Sequence, residues 1–293
     1  MTISHILAAV DHFPQDEPVL LRALDLAQRH GASLTIVHVI DLPGAHGLPA
    51  TIDILQAHAE VATRGMIRDM VRQHGADPDE IKITILAGPP ALRLIALCDT
   101  HAPDLVVMRA HQRSRISEKI LGSTTDRLIA AGTHPVLVVK SPMNGAYTKV
   151  MVTTDGTDDA PASLRFVETL LPKADLHLVQ VVHIARQLKE AMLRSGTDTY
   201  ELQSHRNALA IHAGQHLVQA ASYAESPVKT RVLQGEPAKT LVRASQAGGF
   251  DLIVARAGRK SLIKRAFIGS VTRRLLRDAP CDVLIDRATQ KTG

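Results

Sequence analysis

Apolar and polar positions alternate along the first half of the chain in blocks of two kinds. Short apolar runs without strict alternation, such as Ile6 to Val10, indicate parallel strands that are buried on both faces. Longer stretches such as Pro18 to His30 carry apolar residues at helical spacing, and this one stops at Gly31, a residue that favours a helix C-terminus. The pattern predicts five strands, at Ile6–Val10, Leu34–Ile40, Ile81–Leu86, Leu105–Met108 and Val136–Val139. It predicts four helices between them, at Pro18–His30, Thr51–Gln73, Pro90–Thr100 and Ser123–Ala131.

This alternation of strands and helices predicts an α/β fold. Strictly alternating elements form a parallel sheet with right-handed crossovers and helices on both faces, here a five-stranded Rossmann-like sheet. In such a sheet a ligand binds beyond the carboxyl ends of the strands, at the point where the strand order reverses. We therefore expect ligand contacts at Asp11, at Val39 and in the loop after Met108.

The second half of the chain repeats the first. A block that begins at Gly88 and ends in the run Asp104-Leu-Val-Val returns 147 positions later, where it begins at Gly235 and ends in Asp251-Leu-Ile-Val. At the amino ends of the halves HILAAVD matches KVMVTTD with an offset of 144, and near their carboxyl ends HPVLVV matches PCDVLI. We therefore predict two tandem domains, at residues 1–141 and 147–293, joined by a linker that contains Pro, Asn and Gly.

Composition adds expectations about the compartment. The 293 residues are 45% apolar, as a globular core requires, and include two cysteines, Cys98 and Cys281, without a CxxC pair. No apolar run approaches the roughly 18 residues of a membrane span, and the first 20 residues do not have the pattern of a signal peptide. We therefore expect a soluble cytoplasmic protein without membrane contact. The net charge of +5 permits an anionic ligand but identifies none.

Three stretches of each half together resemble the universal stress protein family. In the first half they are ILAAVD with a helix ending in GASLTIVHVI, then GPPALRLIALCDTHAPDLVVM, then LGSTTDRLIAAGTHPVLVV. The resemblance covers nearly the whole chain as two copies, and it implies an α/β sandwich around a five-stranded parallel sheet. Because family members pair, often through the last strand, it also implies an internal pseudo-dimer of the two domains and allows two chains to form a homodimer.

Nucleotide-binding members of the family carry a loop of the form Gly-x-x-Gly, nine further residues, then Gly-Ser or Gly-Thr. In this chain the Gly-Ser pairs are present in both halves, as are aspartates that match the family's ribose-binding carboxylate, but both loop glycines are replaced in each half. The candidate nucleotide contacts that the resemblance implies are Asp11, Val39, Arg109, Gln112, Gly122 and Ser123 in the first half and Asp155, Val181, Arg256, Arg259, Gly269 and Ser270 in the second.

The replaced glycines leave two interpretations open. A side chain at a position of positive φ costs about 1 kcal/mol or more and blocks the approach of the backbone to an anion, so nucleotide binding would be weakened or lost. Arginine can instead supply donors through its bidentate fork, and a helix that follows a Gly-Ser pair can still receive an anion at its N-terminus. Gln112 adds bulk without charge, whereas Arg256 and Arg259 could hold a phosphate together, so the loss is predicted for the first half in particular.

Each remaining candidate also has a plain structural interpretation. Asp11 and Asp155 either contact a ribose or favour the turn that follows the strand. Ser123 either contacts a phosphate or caps its helix together with Asp126, three residues on. His212 and His216 have the spacing of a two-histidine metal site, but the sequence fixes no third ligand, so no metal is expected.

A basic stretch near the end of the chain, which includes Arg273, Arg274 and Arg277, is typical of the solvated face of an amphipathic helix. Its alternative role, as a surface that binds protein or nucleic acid, predicts salt-sensitive binding. Aromatic residues make up only 2% of the chain, so platforms for base stacking are nearly absent and nucleic acid is not the expected partner.

No Gly-x-Ser-x-Gly, Walker-type Gly-Lys-Ser or Cys/His constellation is present, and no catalytic residue is assigned. We therefore expect a non-catalytic cytoplasmic protein of stress adaptation or signalling whose nucleotide loops are degenerate. The alternative is a protein that binds ATP or another adenine nucleotide with magnesium, with at most slow hydrolysis. It would use Asp11 or Asp155 on the ribose and Arg109 or Arg256 on the phosphates.

Overall fold

The computed structural model describes residues 2–41, 49–109, 123–131, 134–156, 159–256 and 269–287. The chain divides into two compact units: the described residues of the first run to Ala146, and those of the second begin at Tyr147. The change of unit falls at the end of the segment that the sequence predicts as a linker.

In the first unit strands and helices alternate as the sequence predicts. Its strands have the order β3-β2-β1-β4-β5, and every pair of neighbours is parallel. The elements are β1 His5–Ala9, α1 Glu17–His30, β2 Ser33–Ile40, α2 Pro49–Gln73, β3 Lys82–Ala87, α3 Pro90–His101, β4 Leu105–Arg109, α4 Ser123–Ala131 and β5 Val136–Val139.

The second unit repeats this topology, with the strand order β8-β7-β6-β9-β10 and parallel neighbours. It contains one helix, α6, for which the first half gives no predicted counterpart. The elements are β6 Lys149–Thr154, α5 Ala160–Leu170, β7 Asp175–Val182, α6 Arg186–Arg194, α7 Thr199–Ala221, β8 Val228–Gln234, α8 Pro237–Gly248, β9 Leu252–Arg256, α9 Ser270–Asp278 and β10 Asp282–Asp286.

The core of each unit lies around its central strands. Ile6, Leu7 and Ala8 of β1 are completely buried, as are Val106 and Val107 of β4. The apolar runs without alternation predict strands that are buried on both faces. The burial of β1 and β4 confirms that prediction. The predicted α/β class with a parallel sheet is confirmed in both units.

Individual hydrogen bonds repeat between the units as well. The carboxylate of Asp104, just before β4, accepts from the backbone N–H and the hydroxyl of Ser4, both at 2.8 Å. Asp251, just before β9, accepts from the N–H and hydroxyl of Thr148 at 2.7 and 2.8 Å. Each aspartate thus fixes the start of the central strand of its own unit, which explains why the run Asp-Leu-(Val/Ile)-Val occurs twice in the sequence.

The strand register corrects one detail of the repeat. Arg109 lies beside Val139 in the ladder of β4 and β5, and Arg256 lies beside Asp286 in the ladder of β9 and β10. Val139 therefore corresponds to Asp286, so HPVLVV matches residues 281–286 and not the run PCDVLI that begins one residue earlier.

In each unit a glycine directly follows the third strand of the chain order, β3 or β8, and its backbone conformation is one that other residues rarely adopt. Gly88 has φ of 121° and Gly235 has φ of 139°, in the region that favours glycine. The N–H of Gly235 donates to the carbonyl oxygen of Val182 at 3.2 Å, and a Cβ on Gly235 would lie 2.5 Å from Oγ1 of Thr240. The turn from β8 into α8 therefore requires a residue without a side chain.

We predict that Gly235→Ala lowers the free energy of unfolding by about 1–3 kcal/mol, because alanine is strained at this φ and contacts Thr240. Urea denaturation followed by circular dichroism measures the change. The control is Gly65→Ala in α2, where nothing lies within 4 Å of the added Cβ. That change is expected to raise stability by about 0.5–1 kcal/mol, and equal effects of the two substitutions would contradict the prediction.

Candidate functional site

The strand order of each unit reverses between its two central strands. In the first unit these are β1 and β4, with Ala9 beside Met108. In the second they are β6 and β9, with Thr153 beside Ala255. Loops that leave the carboxyl ends of these strands diverge at this point and leave space for a ligand. The structure therefore brings the predicted aspartates and arginines to the same edge of their own sheets.

Arg109, at the first replaced glycine position of the first unit, folds back onto the loop between β1 and α1. Its Nη1 donates a hydrogen bond to the carbonyl oxygen of Gln15 and lies 3.9 Å from Oδ1 of Asp16. The Arg109 side chain is 37% exposed, whereas the Asp16 carboxylate is only 1% exposed. This arginine thus joins the end of β4 to the neighbouring loop.

Asp16 also holds that loop together from inside. Its Oδ2 accepts from the backbone N–H groups of Asp11 at 2.6 Å and His12 at 3.2 Å. A buried carboxylate requires such donors, because burial without hydrogen bonds is costly. The conformation around Asp11 is therefore fixed by Asp16, which stands at the start of α1.

Arg256 makes the corresponding contact in the second unit. Its Nη1 donates to the carbonyl oxygen of Asp159 at 2.6 Å and to Oγ of Ser163 at 3.2 Å. It also lies 3.7 Å from Oδ2 of Asp286, and both of these charged side chains are only 4% exposed. Ser163 in turn donates to Oδ2 of Asp286 at 2.6 Å.

The two contacts are equivalent in the repeat. Asp159 follows Gln15 by 144 positions, the offset of the amino ends, and Arg256 follows Arg109 by 147. We use the name arginine clasp for this hydrogen bond from the arginine after the fourth strand to the backbone carbonyl of the loop after the first strand. Because the acceptor is a backbone atom, the clasp does not depend on the identity of the loop residue.

The second clasp has a buried counter-charge at the end of its last strand, whereas the buried carboxylate beside the first clasp is Asp16 of the loop before α1. The positions of Ser163 and Asp286 are occupied in the first unit by Val19 and Val139, both buried. Burial raises the pKa of Asp286 above its usual range, while the hydrogen bond from Ser163 and the charge of Arg256 act in the opposite direction. Among the described residues, Nη2 of Arg256 has no hydrogen-bond acceptor.

The predicted ribose contacts lie at the same edges of the sheets. Asp11 follows β1, its side chain is 42% exposed, and its Oδ2 lies 3.6 Å from Nε2 of His12. Asp155 follows β6 and is exposed, and its carbonyl oxygen accepts from Gln180 at 3.4 Å. The roles of these two carboxylates in ligand binding stay predictions.

The other candidates divide between the adjacent strands and the helix starts. Val39 and Val181 are the penultimate residues of β2 and β7, where Val39 is buried and Val181 is partly exposed. Ser123 and Ser270 begin α4 and α9, and Gly269 precedes α9 without a side-chain cap. Three predicted contacts, Gln112, Gly122 and Arg259, lie outside the described residues.

Sequence reasoning did not find the partners of the arginines. Gln15, Asp16 and Asp159 were not singled out, because a backbone acceptor or a loop carboxylate has no distinctive pattern. Asp286 had a detectable signal, since it ends an apolar strand run whose counterpart in the first half ends in Val139. A charge at a buried strand position predicts a buried partner of opposite charge.

The described part of the basic stretch is partly neutralised within the protein. Nε of Arg277 donates to Asp278 at 2.9 Å, and Nε of Arg274 donates to the same carboxylate at 3.3 Å. These contacts, that of Arg277 first, lower the pKa of Asp278. Arg274 also lies 3.8 Å from Glu236. The solvated-face interpretation therefore accounts for these two arginines, while Arg273 is exposed.

Within the described ranges, no group of three or more His, Cys, Asp or Glu side chains is arranged to hold a metal ion. In the same part of the chain, none of the helices combines the length and the apolar character needed to cross a membrane.

Comparisons with known proteins agree with this architecture. Universal stress protein A homolog 1 of Coxiella burnetii is 32% identical over 143 residues, which are 47% of this chain and 97% of that protein. Stress response protein NhaX of Bacillus subtilis is 29% identical over 163 residues, 46% of this chain and 96% of its own. The crystal structure of a universal stress protein from Archaeoglobus fulgidus covers 98% of this chain and 99% of its own, at 17% identity and a TM-score of 0.66.

The repeated parallel sheets and the aspartate and arginine at each switch point define a tandem protein of the Rossmann-like α/β class. The sequence profile of the universal stress protein family matches residues 2–140 and again residues 146–287. The chain therefore belongs to the universal stress protein family, a family of the stress response, and carries two of its domains. The pseudo-dimer and the homodimer that the resemblance implies stay predictions.

We predict that Arg256→Met lowers the free energy of unfolding by about 3–5 kcal/mol, because it leaves Asp286 buried without its counter-charge. The double variant Arg256→Met/Asp286→Val, which takes the first unit's valine, is expected to recover at least half of this loss. Urea denaturation of both variants and of the wild type measures the values. A double variant as unstable as the single one would contradict the assignment.

The loss of unfolding free energy in Arg256→Met should also depend on pH. Without Arg256, the pKa of Asp286 in the folded protein rises further above its unfolded value, so folding favours the protonated acid. The destabilisation is therefore complete above the folded pKa and disappears as pH falls toward the unfolded value. We expect a smaller deficit at pH 5 than at pH 7.5. A matched Arg109→Met variant should lose only about 1–2 kcal/mol, because Arg109 is partly solvated and Asp16 keeps its hydrogen bonds from the N–H groups of Asp11 and His12.

Proposed function

We propose that this protein is a non-catalytic cytoplasmic member of the stress response that binds no adenine nucleotide tightly in either unit. The observation that carries the proposal is the arginine clasp, because the residues at the first glycine position bind their own protein. The small number of cysteines, two in 293 residues, fits a reducing compartment.

The clasp opposes phosphate binding through the donors that it uses. Nη1 of Arg256 already donates to Asp159 and Ser163, and its side chain lies beside the Asp286 carboxylate. A phosphate could reach this arginine only by entering a site where the side chain is 4% exposed, and it would meet the negative charge of Asp286 there. Arg256 is therefore a weak phosphate donor in this proposal, although it is the candidate that sequence reasoning favoured.

Backbone geometry supports the same proposal. Arg109 is the last residue of β4 and pairs with Val139, and Arg256 is the last residue of β9 and pairs with Asp286. The strands thus continue through the position where a nucleotide loop would begin. Among the described residues, the only one other than glycine with positive φ is Ala102, so neither arginine adopts the backbone conformation that a loop glycine permits.

One observation favours a second candidate function, adenine-nucleotide binding with magnesium and at most slow hydrolysis, in the first unit. Arg109 remains 37% exposed, its only ion pair among the described residues is that with Asp16 at 3.9 Å, and Asp11 is also partly exposed. Because Arg109 is more exposed than the 4%-exposed Arg256, its guanidinium can be redirected toward an anion at lower cost. In this candidate Asp11 binds the ribose and Arg109 binds a phosphate.

Calorimetric titration of the nucleotide-stripped protein with ATP and magnesium, and separately with AMP, tests the proposal. We expect no saturable heat at micromolar concentrations, and the same result for Asp11→Ala and Asp155→Ala. Circular dichroism must show that each protein is folded. Micromolar binding that Asp11→Ala and Arg109→Met abolish, but Asp155→Ala does not, would overturn the proposal and establish the second candidate.

A further inference from the structure

A cavity of about 80 Å³ lies in the second unit, away from the candidate nucleotide site. It is enclosed between one face of β6, β7 and β8 and the C-terminal part of α8. Its polar lining includes Lys149, the first residue of β6, and His177, the third residue of β7. It therefore reaches the amino ends of β6 and β7, whereas Asp155 and Arg256 lie at the carboxyl edge, outside its lining.

The cavity exists because two helix positions are small in this unit. Ala244 and Gly248 of α8 line it, and the residues 147 positions earlier in α3 are Leu97 and His101. In the first unit the His101 ring accordingly fills its place, with Nε2 at 3.3 Å from Nζ of Lys82. The second unit has no comparable side chains at these two helix positions, although it has Phe250 where the first unit has Pro103.

An aromatic ring occupies part of the space and forms one wall. Phe250 packs against Gly248 so closely that a Cβ there would lie 2.4 Å from its Cε2. The His177 ring meets the Phe250 ring edge-on at 4.9 Å between centroids, and Nζ of Lys149 lies 5.1 Å from the same centroid. Phe250 thus contacts Gly248, His177 and Lys149, and these contacts define one wall of the cavity.

The charged groups at the cavity are cationic. Lys149 donates to the carbonyl oxygen of Gly248 at 2.7 Å, and Arg231 is exposed, with no ion pair among the described residues. No carboxylate is found among the described residues that line the cavity. Asp175, beside His177, already accepts from Lys229 at 2.6 Å, the main reason that its pKa is lowered. An anion that enters thus meets two cations, and no lining carboxylate repels it.

We propose that this cavity binds a small aliphatic monocarboxylate. A volume of about 80 Å³, compared with roughly 10–15 Å³ for a single water, accommodates about six heavy atoms, which is the size of butyrate. The carboxylate accepts from Arg231 and faces Lys149, and the hydrocarbon chain lies against Phe250 and the aliphatic side chains of the sheet. This site is independent of the nucleotide question, because none of the candidate nucleotide contacts is among the described residues that line the cavity.

Titration of the full-length protein with butyrate, followed by saturation-transfer NMR and calorimetry, tests the proposal. We expect saturable binding with a dissociation constant of about 1 mM or tighter for this few-atom ligand. Butyramide, the neutral isostere, should bind at least about tenfold more weakly, because it offers no charge to Arg231.

Two variants locate the site. Ala244→Leu introduces the residue that α3 carries at the same position, fills the cavity and is expected to weaken butyrate binding at least tenfold. Arg231→Gln should weaken butyrate about tenfold and leave butyramide unchanged, which a purely structural effect would not do. The control Lys229→Gln, in the same strand but outside the lining, should change binding less than about twofold.

The proposal is overturned if butyrate shows no saturable binding, or if butyramide binds equally well. It is also overturned if Arg231→Gln and a folded Ala244→Leu both bind butyrate like the wild type. Should Ala244→Leu fail to fold, the contrast between Arg231→Gln and Lys229→Gln decides the matter alone.

Discussion

A parallel sheet that is covered by helices on both faces can place charged groups on its central strands only where those strands end, and this constraint governs both units. Completely buried residues such as Leu7 and Val254 leave no room for charge along the strands. Asp104 and Asp251 therefore act at the amino ends, where each accepts N–H groups, and the arginines act at the carboxyl ends. Lys149 of the second unit's cavity follows the same rule as the first residue of β6, whereas Arg231 lies within β8, the outermost strand of that unit, where it is exposed.

The two arginine clasps show how one contact can be kept while its surroundings change. The donor and the backbone acceptor are the same in both units, but Val19 and Val139 of the first unit correspond to Ser163 and Asp286 of the second. The first arginine is consequently half-solvated, and the second is buried with its carboxylate. A guanidinium can serve in both environments because it presents several donors on a flexible stem.

Much of the fold was predictable because its signals are local. The apolar runs gave the strands of the first unit to within one or two residues, and the repeat transferred them to the second. Helix α6 was not predicted, since its apolar residues Leu188 and Leu193 are exposed and follow no buried pattern. One-residue errors, such as the end of β4 at Arg109, arise because a charged residue at a strand end has no apolar signature.

The site was predictable in position but not in contacts. Counting back from the Gly-Ser pairs located Arg109 and Arg256, and the switch-point rule located Asp11 and Asp155. The direction of each arginine could not be read from the sequence, because its acceptor is a carbonyl oxygen that every residue carries. Likewise, the cavity beside α8 lies next to two small residues, Ala244 and Gly248. Their small size is noticeable only in comparison with Leu97 and His101, which the first unit has at the corresponding positions.

The buried pair in the second unit also has an evolutionary consequence. Loss of either Arg256 or Asp286 alone leaves the other charge unpaired in the interior, so the two positions can change at low cost only together. In the first unit the residue beside Arg109 in the ladder is Val139, so a substitution at residue 109 places no such demand on the last strand. The two copies of one fold therefore differ in how freely the same position can vary.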